Sequence, residues 1–154
     1  MRLVLDTNVV LSALLWRGTP YRLVQMISQR ADVQLVSSPA LLEELADVLM
    51  RPSVAGRLAL IGKTAQAVLT DYLDVVDIAS TTEVPRVVPD DADDDHVIAA
   101  AVSGGADLIV SGDGDLLRIG SHRGIRIVSA AEAAETLETG DAPDLEMSPG
   151  QPRK

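Results

Sequence analysis

The sequence contains no cysteine and no phenylalanine, and its 154 residues include one tryptophan and two tyrosines. The absence of cysteine excludes a disulfide framework and any metal site built from thiolates. Because aromatic residues are so scarce, the core has to be built from aliphatic side chains, which suits helices packed on a parallel sheet. A chain of this length is expected to form one ordinary domain.

Signals for secretion and for membrane insertion are also missing. The amino terminus lacks the basic and then apolar pattern of a secretory signal. Charged residues interrupt every apolar run well before the roughly 20 residues that a membrane helix needs. We therefore expect a cytoplasmic protein that makes no contact with a membrane.

The charge balance is strongly acidic, with a formal net charge of −10 at pH 7. An acidic surface repels phosphate backbones, which argues against a protein that coats DNA or RNA irrespective of sequence. Part of the negative charge lies in a few local clusters, however. A cluster that binds a divalent cation reverses its own local charge, so a nucleic-acid substrate stays compatible with this composition.

Short apolar runs alternate with helical patterns along the chain, and this alternation predicts a parallel sheet covered by helices. Strands are predicted at residues 3–5, 33–36, 75–78, 108–110 and 125–128. Helices are predicted at about 9–16, 20–30, 39–49, 53–61, 63–73, 97–102, 116–119 and 130–137. Residues 1–138 are predicted to form the domain, residues 80–89 a surface loop within it, and residues 139–154 a flexible tail.

Capping residues mark the starts of four of these helices. They are Thr19 and Ser38, each followed by proline, Asp115, and Ser129, which is expected to form a capping box with Glu132.

Acidic residues occur at positions that the predicted elements should bring together. Asp6 and Asp113 each follow an apolar strand directly. Asp94 and Asp95 lie at the amino end of the helix before the second of these strands, and Glu44 lies early in the third helix. Neighbouring carboxylates about 5 Å apart repel by about 3 kcal/mol per pair at an effective dielectric of about 20. A shared Mg²⁺ or Mn²⁺ offsets this repulsion, since hard cations prefer oxygen ligands.

Most of these residues also have an ordinary structural explanation. An aspartate at a helix start, such as Asp94 or Asp95, is more often a cap than a ligand. Glu44, taken alone, is more easily explained as part of a solvated helix face. Asp6 is harder to explain in this way, because a charge at the end of a buried strand is costly without a partner. The joint placement of the acidic residues therefore favours a metal site more than any single residue does.

Four motifs, in this order along the chain, resemble the PIN domain family. They are residues 6–9 with 13–20, residues 38–39 with 42–45, residues 91–95, and residues 106–117. More narrowly, the chain resembles the PIN-domain toxins of toxin-antitoxin systems, which are related to the VapC toxins. The resemblance spans about residues 1–137. It implies an α/β fold, a three-layer α/β/α sandwich with a central parallel sheet of about five strands.

The resemblance also implies a ribonuclease that hydrolyses RNA phosphodiester bonds with bound Mg²⁺ or Mn²⁺. The family's acidic residues correspond here to Asp6, Glu44, Asp94 and Asp113. Asp95 is the alternative to Asp94 as the third catalytic residue, and both aspartates are candidate metal ligands. Glu43 is a weaker alternative to Glu44. Two short polar residues beside the strand ends, Asn8 and Ser111, are suited to orienting a carboxylate or a metal-bound water.

The expected partners follow from the same resemblance. They are an RNA substrate, a protein antitoxin and a second copy of the chain in a homodimer. Arg17, Arg22 and Arg51 are candidate phosphate contacts, chosen by their sequence neighbourhood. Two other functions stay open: a PIN-fold interaction module that binds an antitoxin-like partner and cuts nothing, and a phosphatase in which Asp6 forms a phosphoenzyme.

Overall fold

The computed structural model describes residues 1–79 and 92–139, with the backbone alone for residues 92–94. The loop predicted at 80–89, the acidic residues at 90–91, and residues 140–154 of the predicted tail lie outside the described residues. Thr139, predicted as the first residue of the tail, is helical. Not one of the described helices has the length and apolar character needed to cross a bilayer.

Strands and helices alternate along the described part of the chain. The strands are β1 (Arg2–Leu5), β2 (Gln34–Ser37), β3 (Val76–Ile78), β4 (Leu108–Val110), β5 (Ser121–His122) and β6 (Ile125–Val128). The helices are α1 (Thr7–Leu15), α2 (Thr19–Ser28), α3 (Pro39–Leu49), α4 (Pro52–Leu60), α5 (Ala65–Leu73), α6 (Ala92–Ser103), α7 (Gly114–Ile119) and α8 (Ala130–Thr139).

The strands form one sheet in the order β3-β2-β1-β4-β6-β5. The five predicted strands are confirmed, and all of them run parallel. β5 was not predicted, because its two residues carry no apolar pattern. It pairs antiparallel with β6 through a two-residue turn, Arg123 and Gly124. Both turn residues have positive φ angles, 52° and 82°, as the tightest hairpin turns require.

Both faces of the sheet are covered by helices, which confirms the three-layer α/β/α sandwich. Leu3 and Leu5 of β1 belong to the larger core, which is completed by α1 to α5 and α8. Val4, between them, belongs to the smaller core with α6 and α7. Side chains alternate between the faces of a strand, so a strand covered on both faces is apolar at every position.

The sheet has a topological switch point between β1 and β4. From β1 the chain builds β2 and β3 on one side, and then crosses over to build β4 and β6 on the other. In open parallel sheets, the crevice beyond the carboxyl ends of two such strands is the usual place for a binding site. Asp6 and Ser111 are the first residues after β1 and β4, so both border this crevice.

Two of the four predicted helix caps are confirmed. The hydroxyl of Ser38 accepts a hydrogen bond from the backbone N–H of Leu41, at 3.3 Å, and so caps α3. Ser129 and Glu132 form the predicted capping box at the start of α8, with reciprocal bonds of 2.9 Å and 3.2 Å. These motifs depend only on neighbouring residues, so the sequence was sufficient to find them.

The other two predicted caps, Thr19 and Asp115, are wrong by one or two positions. Thr19 is the first residue of α2, and Gly18 precedes it as the cap without a side-chain hydrogen bond. Asp115 lies inside α7, where it pairs with Arg118, whereas Asp113 caps that helix by accepting from the N–H of Asp115, at 3.0 Å. Both aspartates suit a cap position, and α7 begins directly after the earlier one.

Gly104 lets the end of α6 approach the sheet closely. A Cβ atom at this position would lie 2.5 Å from Cγ1 of Val36 and 3.0 Å from the carbonyl oxygen of Ala100. Val36 is fully buried in β2, so its side chain has no room to retreat. Only glycine therefore fits here without displacing the sheet.

We expect Gly104→Ala to lower the free energy of unfolding by about 1–3 kcal/mol, because the added methyl group overpacks the core. Gly56→Ala is the matched control. Gly56 is exposed within α4, and an added Cβ would contact nothing within 4 Å. This control should gain up to about 1 kcal/mol from helix propensity. Urea denaturation measures both changes, and equal stability of the two variants would contradict the close packing at Gly104.

Candidate active site

Asp6 occupies the end of β1 and also caps α1. Its Oδ1 accepts a hydrogen bond from the backbone N–H of Asn8, at 2.9 Å, and its Oδ2 accepts from the hydroxyl of Ser111, at 2.7 Å. The residue is only 7% exposed. Each carboxylate oxygen has two lone pairs, so these two bonds fix the orientation of the group without exhausting its capacity as an acceptor.

Ser111 joins Asp6 to Asp113. Its hydroxyl donates to the carboxylate of Asp6 and accepts from the backbone N–H of Asp113, at 2.9 Å. Ser111 is fully buried, and its own backbone N–H donates to the carbonyl oxygen of Val128 at the end of β6, at 2.9 Å. One hydroxyl group therefore connects the segments that follow β1 and β4.

Thr7 ties Glu44 to the same junction. Its hydroxyl donates to Oε1 of Glu44, at 2.6 Å, and the threonine is buried at 5% exposure. Because Thr7 directly follows Asp6, this bond brings α3 and its glutamate to the start of α1. Glu43, the weaker alternative, lies exposed on α3. The structure thus brings Asp6, Glu44 and Asp113 to one edge of the sheet.

Asp95 lies at the same edge. It is fully buried and, since α6 begins three residues earlier, it does not cap that helix. At the other end of α6, Nε of Arg2 donates to the carbonyl oxygen of Gly104, at 2.7 Å, which places that end beside the start of β1. Asp95 and Gly104 are nine positions apart, which corresponds to about 13 Å along the helix, so Asp95 lies toward the carboxyl edge of the sheet. The side chain of Asp94 lies outside the described residues.

The donor atoms suit a hard divalent cation. Among the side chains that the structure describes, no three acidic or histidine groups form a metal-binding cluster. Mg²⁺ is usually held by one or two carboxylates and several waters, so a larger protein cluster is not required. Ser111 links the carboxylate of Asp6 to the backbone of Asp113. Asp6, Glu44, Asp94, Asp95 and Asp113 stay predicted ligands.

The two supporting residues differ in what they contribute. Ser111 holds Asp6 with its side chain, as expected. Asn8 uses only its backbone N–H, and its exposed side chain makes no hydrogen bond to the described residues. Thr7 was not predicted to belong to the site. Its place between Asp6 and Asn8 was a usable signal, but its partner is 37 residues away and appears only in the folded chain.

The three predicted phosphate contacts lie away from this edge. Arg17 and Arg22 lie beyond the far end of α1, and Arg51 precedes α4. None of them forms an ion pair with a carboxylate of the described residues. They are therefore free of an acidic partner within residues 1–79 and 92–139.

We expect Ser111→Ala to lower the free energy of unfolding by about 1–3 kcal/mol, because the buried carboxylate of Asp6 loses its hydroxyl donor. Ser28→Ala is the control. It removes an exposed hydroxyl that donates to the carbonyl oxygen of Gln25, at 2.8 Å. This change should stay within about 0.5 kcal/mol. Urea denaturation at neutral pH tests both variants, and equal midpoints would argue against the buried hydrogen bond.

Comparison with known proteins gives one family and two similar structures. The sequence model of the family described as PIN domain matches residues 2–115. One similar structure is the crystal structure of VapBC2 from Rickettsia felis bound to a DNA fragment from the promoter. It matches with a TM-score of 0.58 and 15% sequence identity, and the match covers 82% of this chain and 97% of that chain. PAE2754 from Pyrobaculum aerophilum has a TM-score of 0.57 and 17% identity, over 90% of this chain and 89% of that chain. At such identities the likeness concerns the fold. No curated protein matches the chain.

Proposed function

The chain belongs to the PIN domain family, and from this premise we propose that it is a metal-dependent endoribonuclease and the toxin component of a toxin-antitoxin pair. The observation that carries the proposal is the hydrogen-bonded group of Asp6, Ser111 and Asp113 at the switch point of the sheet. Glu44, held by Thr7, lies beside it. Oxygen ligands of this type are those that Mg²⁺ and Mn²⁺ prefer.

Each acidic residue has a distinct role in this proposal. Asp6 and Asp113 would hold Mg²⁺ or Mn²⁺, and Glu44 and Asp94, or Asp95 in its place, would complete the set of acidic groups around it. When bound, such a cation lowers the pKa of a water and stabilises negative charge on the phosphate.

The protein's own contribution is to hold these oxygens in place before the substrate arrives. Ser111 and the backbone N–H of Asn8 fix the two oxygens of Asp6, and Thr7 fixes one oxygen of Glu44. A group that is already oriented needs no reorganisation during the reaction, and this lowers the barrier. The burial of Asp6 and Ser111 also keeps bulk water from competing for these hydrogen bonds.

The proposed partners are RNA, a protein antitoxin and a second copy of the chain. The similarity to VapBC2 from Rickettsia felis supports a place in a toxin-antitoxin pair. Met50, before α4, and Leu60, the last residue of α4, are each 75% exposed and offer apolar side chains for a protein contact.

Asp6→Asn should reduce metal-dependent cleavage of a structured RNA by about 100-fold or more, since even the loss of a partner of a metal ligand costs about 10–100-fold. Asp32→Asn is the control, because it removes the same charge from an exposed residue paired with Arg30. A gel assay with Mg²⁺ or Mn²⁺ measures the rates, and circular dichroism checks that the variants fold. Equal activity of the wild type and Asp6→Asn would reject the assignment.

Mg²⁺ or Mn²⁺ should raise the melting temperature of the wild type beyond the effect of Na⁺ at matched ionic strength. A cation that binds only the folded chain stabilises it by about 2.7 kcal/mol at a concentration of about 100 Kd. Asp113→Asn should reduce this effect, which differential scanning fluorimetry measures. If the divalent cations neither stabilise the wild type nor support cleavage, the chain is better described as a PIN-fold interaction module.

A further inference from the structure

Trp16, the only tryptophan of the chain, lies at the surface where α1 ends. It remains 44% exposed although it is the largest apolar side chain that the protein has. Its backbone is fixed at the end of α1, because its N–H donates to the carbonyl oxygen of Ser12, at 3.0 Å. The exposed part of the indole is available for a contact at the surface.

Arg57 stacks on this tryptophan. The carbon of its guanidinium group lies 5.2 Å from the centre of the indole ring. Its Nε also donates to the carbonyl oxygen of Leu15, at 2.6 Å, which fixes the plane of the guanidinium. A cation over an aromatic face within about 6 Å is attracted by the ring's quadrupole. Trp16 and Arg57 therefore form one rigid unit with both an aromatic and a cationic part.

A second pair of the same kind follows directly. The guanidinium of Arg17 lies 4.7 Å from the ring centre of Tyr21, which is half-buried in α2. Trp16 and Arg17 are adjacent, so the two pairs share the corner between α1 and α2. We call this set the aromatic corner: Trp16, Arg17, Tyr21 and Arg57.

The aromatic corner is also where positive charge lacks acidic partners. Neither Arg17 nor Arg57 forms an ion pair with any carboxylate in residues 1–79 and 92–139, and the same holds for Arg22 and Arg51 nearby in sequence. Other cations do pair with acids, among them Arg2 with Asp77, Arg30 with Asp32, and Lys63 with Asp71. On a chain with a net charge of −10, this corner is thus a local site for a polyanion.

We propose that the aromatic corner binds single-stranded RNA, with a base stacked on Trp16 and phosphates bound by Arg17 and Arg57. This inference rests on the proposed ribonuclease function and names how its substrate is held. Single-strand binding sites combine a positively charged surface with aromatic rings on which bases stack, and this combination accepts any base. The planar guanidinium of arginine matches a phosphate group in two parallel hydrogen bonds.

Helix α1 sets the distance between this corner and the acidic group. Asp6 caps its start and Trp16 follows its end, ten residues later, which corresponds to about 15 Å along the helix axis. One RNA segment a few nucleotides long can therefore contact both sites. The stacked base would fix the strand, so that a phosphate a few nucleotides further along reaches the acidic group.

An acidic protein segment could also pair with the arginines, but the aromatic rings favour nucleic acid. An acidic peptide needs only cations, whereas here two rings are each held against a guanidinium. A flat ring of this kind offers a stacking surface that a carboxylate does not use.

The fluorescence of the single tryptophan gives a direct test. We expect a 12-nucleotide single-stranded RNA to quench the emission of Trp16 in a buffer with EDTA and low salt, where no divalent cation supports cleavage. The anisotropy of the same RNA, labelled with fluorescein, measures the affinity of the variants. Trp16→Leu should weaken binding by about 5–100-fold, the range expected for the loss of one stacked base. Trp16→Tyr keeps an aromatic ring and should restore most of the affinity.

Two arginine variants separate a local contact from general charge. Arg17→Gln should weaken binding and reduce its dependence on salt, because one phosphate contact is lost. Arg123→Asn removes an equal charge from the exposed turn between β5 and β6, which is not part of the aromatic corner. Asparagine tolerates the positive φ of that residue, and this control should bind RNA as the wild type does.

Three results would overturn the inference. The first is unchanged emission together with equal affinity of Trp16→Leu and the wild type. The second is equal quenching by a duplex of the same sequence. The third is quenching by poly-glutamate without any response to RNA, which would assign the corner to an acidic protein. Because binding is measured without divalent cations, tryptophan-dependent binding by a chain that never cleaves would support this inference and reject the nuclease.

Discussion

The buried hydroxyl of Ser111 is the contact on which the candidate site depends. It donates to the carboxylate of Asp6 and accepts from the backbone N–H of Asp113, so it joins the segments that follow β1 and β4. A carboxylate at the end of a buried strand is costly unless its oxygens are hydrogen-bonded. Here two donors satisfy Asp6, one from its own helix and one from the neighbouring strand. The order of the strands and the chemistry of the site are therefore coupled.

Helix α1 connects the two charged regions of the molecule. Its amino end carries Asp6 as the cap, and its last carbonyl group accepts from the guanidinium of Arg57. A negative charge at the start and a positive charge at the end both interact favourably with the helix dipole. The same helix thus stabilises an acidic edge suited to a cation and, at its other end, a basic corner suited to a polyanion. Negative and positive charge are thus separated along one helix of a chain whose net charge is −10.

Tertiary contacts also explain where the sequence-based expectations were wrong. Asp115 has the residue type and the following leucines of a cap, yet α7 begins earlier and Asp113 caps it. The residues at β5 carry no apolar signal, and their pairing depends on β6 and on a tight turn. Thr7 gained a role only because α3 brings Glu44 against it. In each case a partner from another element, or the exact start of a helix, decided the outcome.

The sequence by itself determined the class of fold, the parallel strands and the capping box of α8, because these follow from apolar periodicity and from contacts between near neighbours. It also singled out Asp6, Glu44, Asp94 or Asp95, and Asp113, since strand ends and helix starts can be located along a chain. Only the tertiary structure decided that the carboxylate Ser111 holds is that of Asp6, that Thr7 holds Glu44, and that Arg57 stacks on Trp16. Those pairs join residues that lie 105, 37 and 41 positions apart. No local pattern specifies contacts over such separations, because they depend on how whole helices and strands pack.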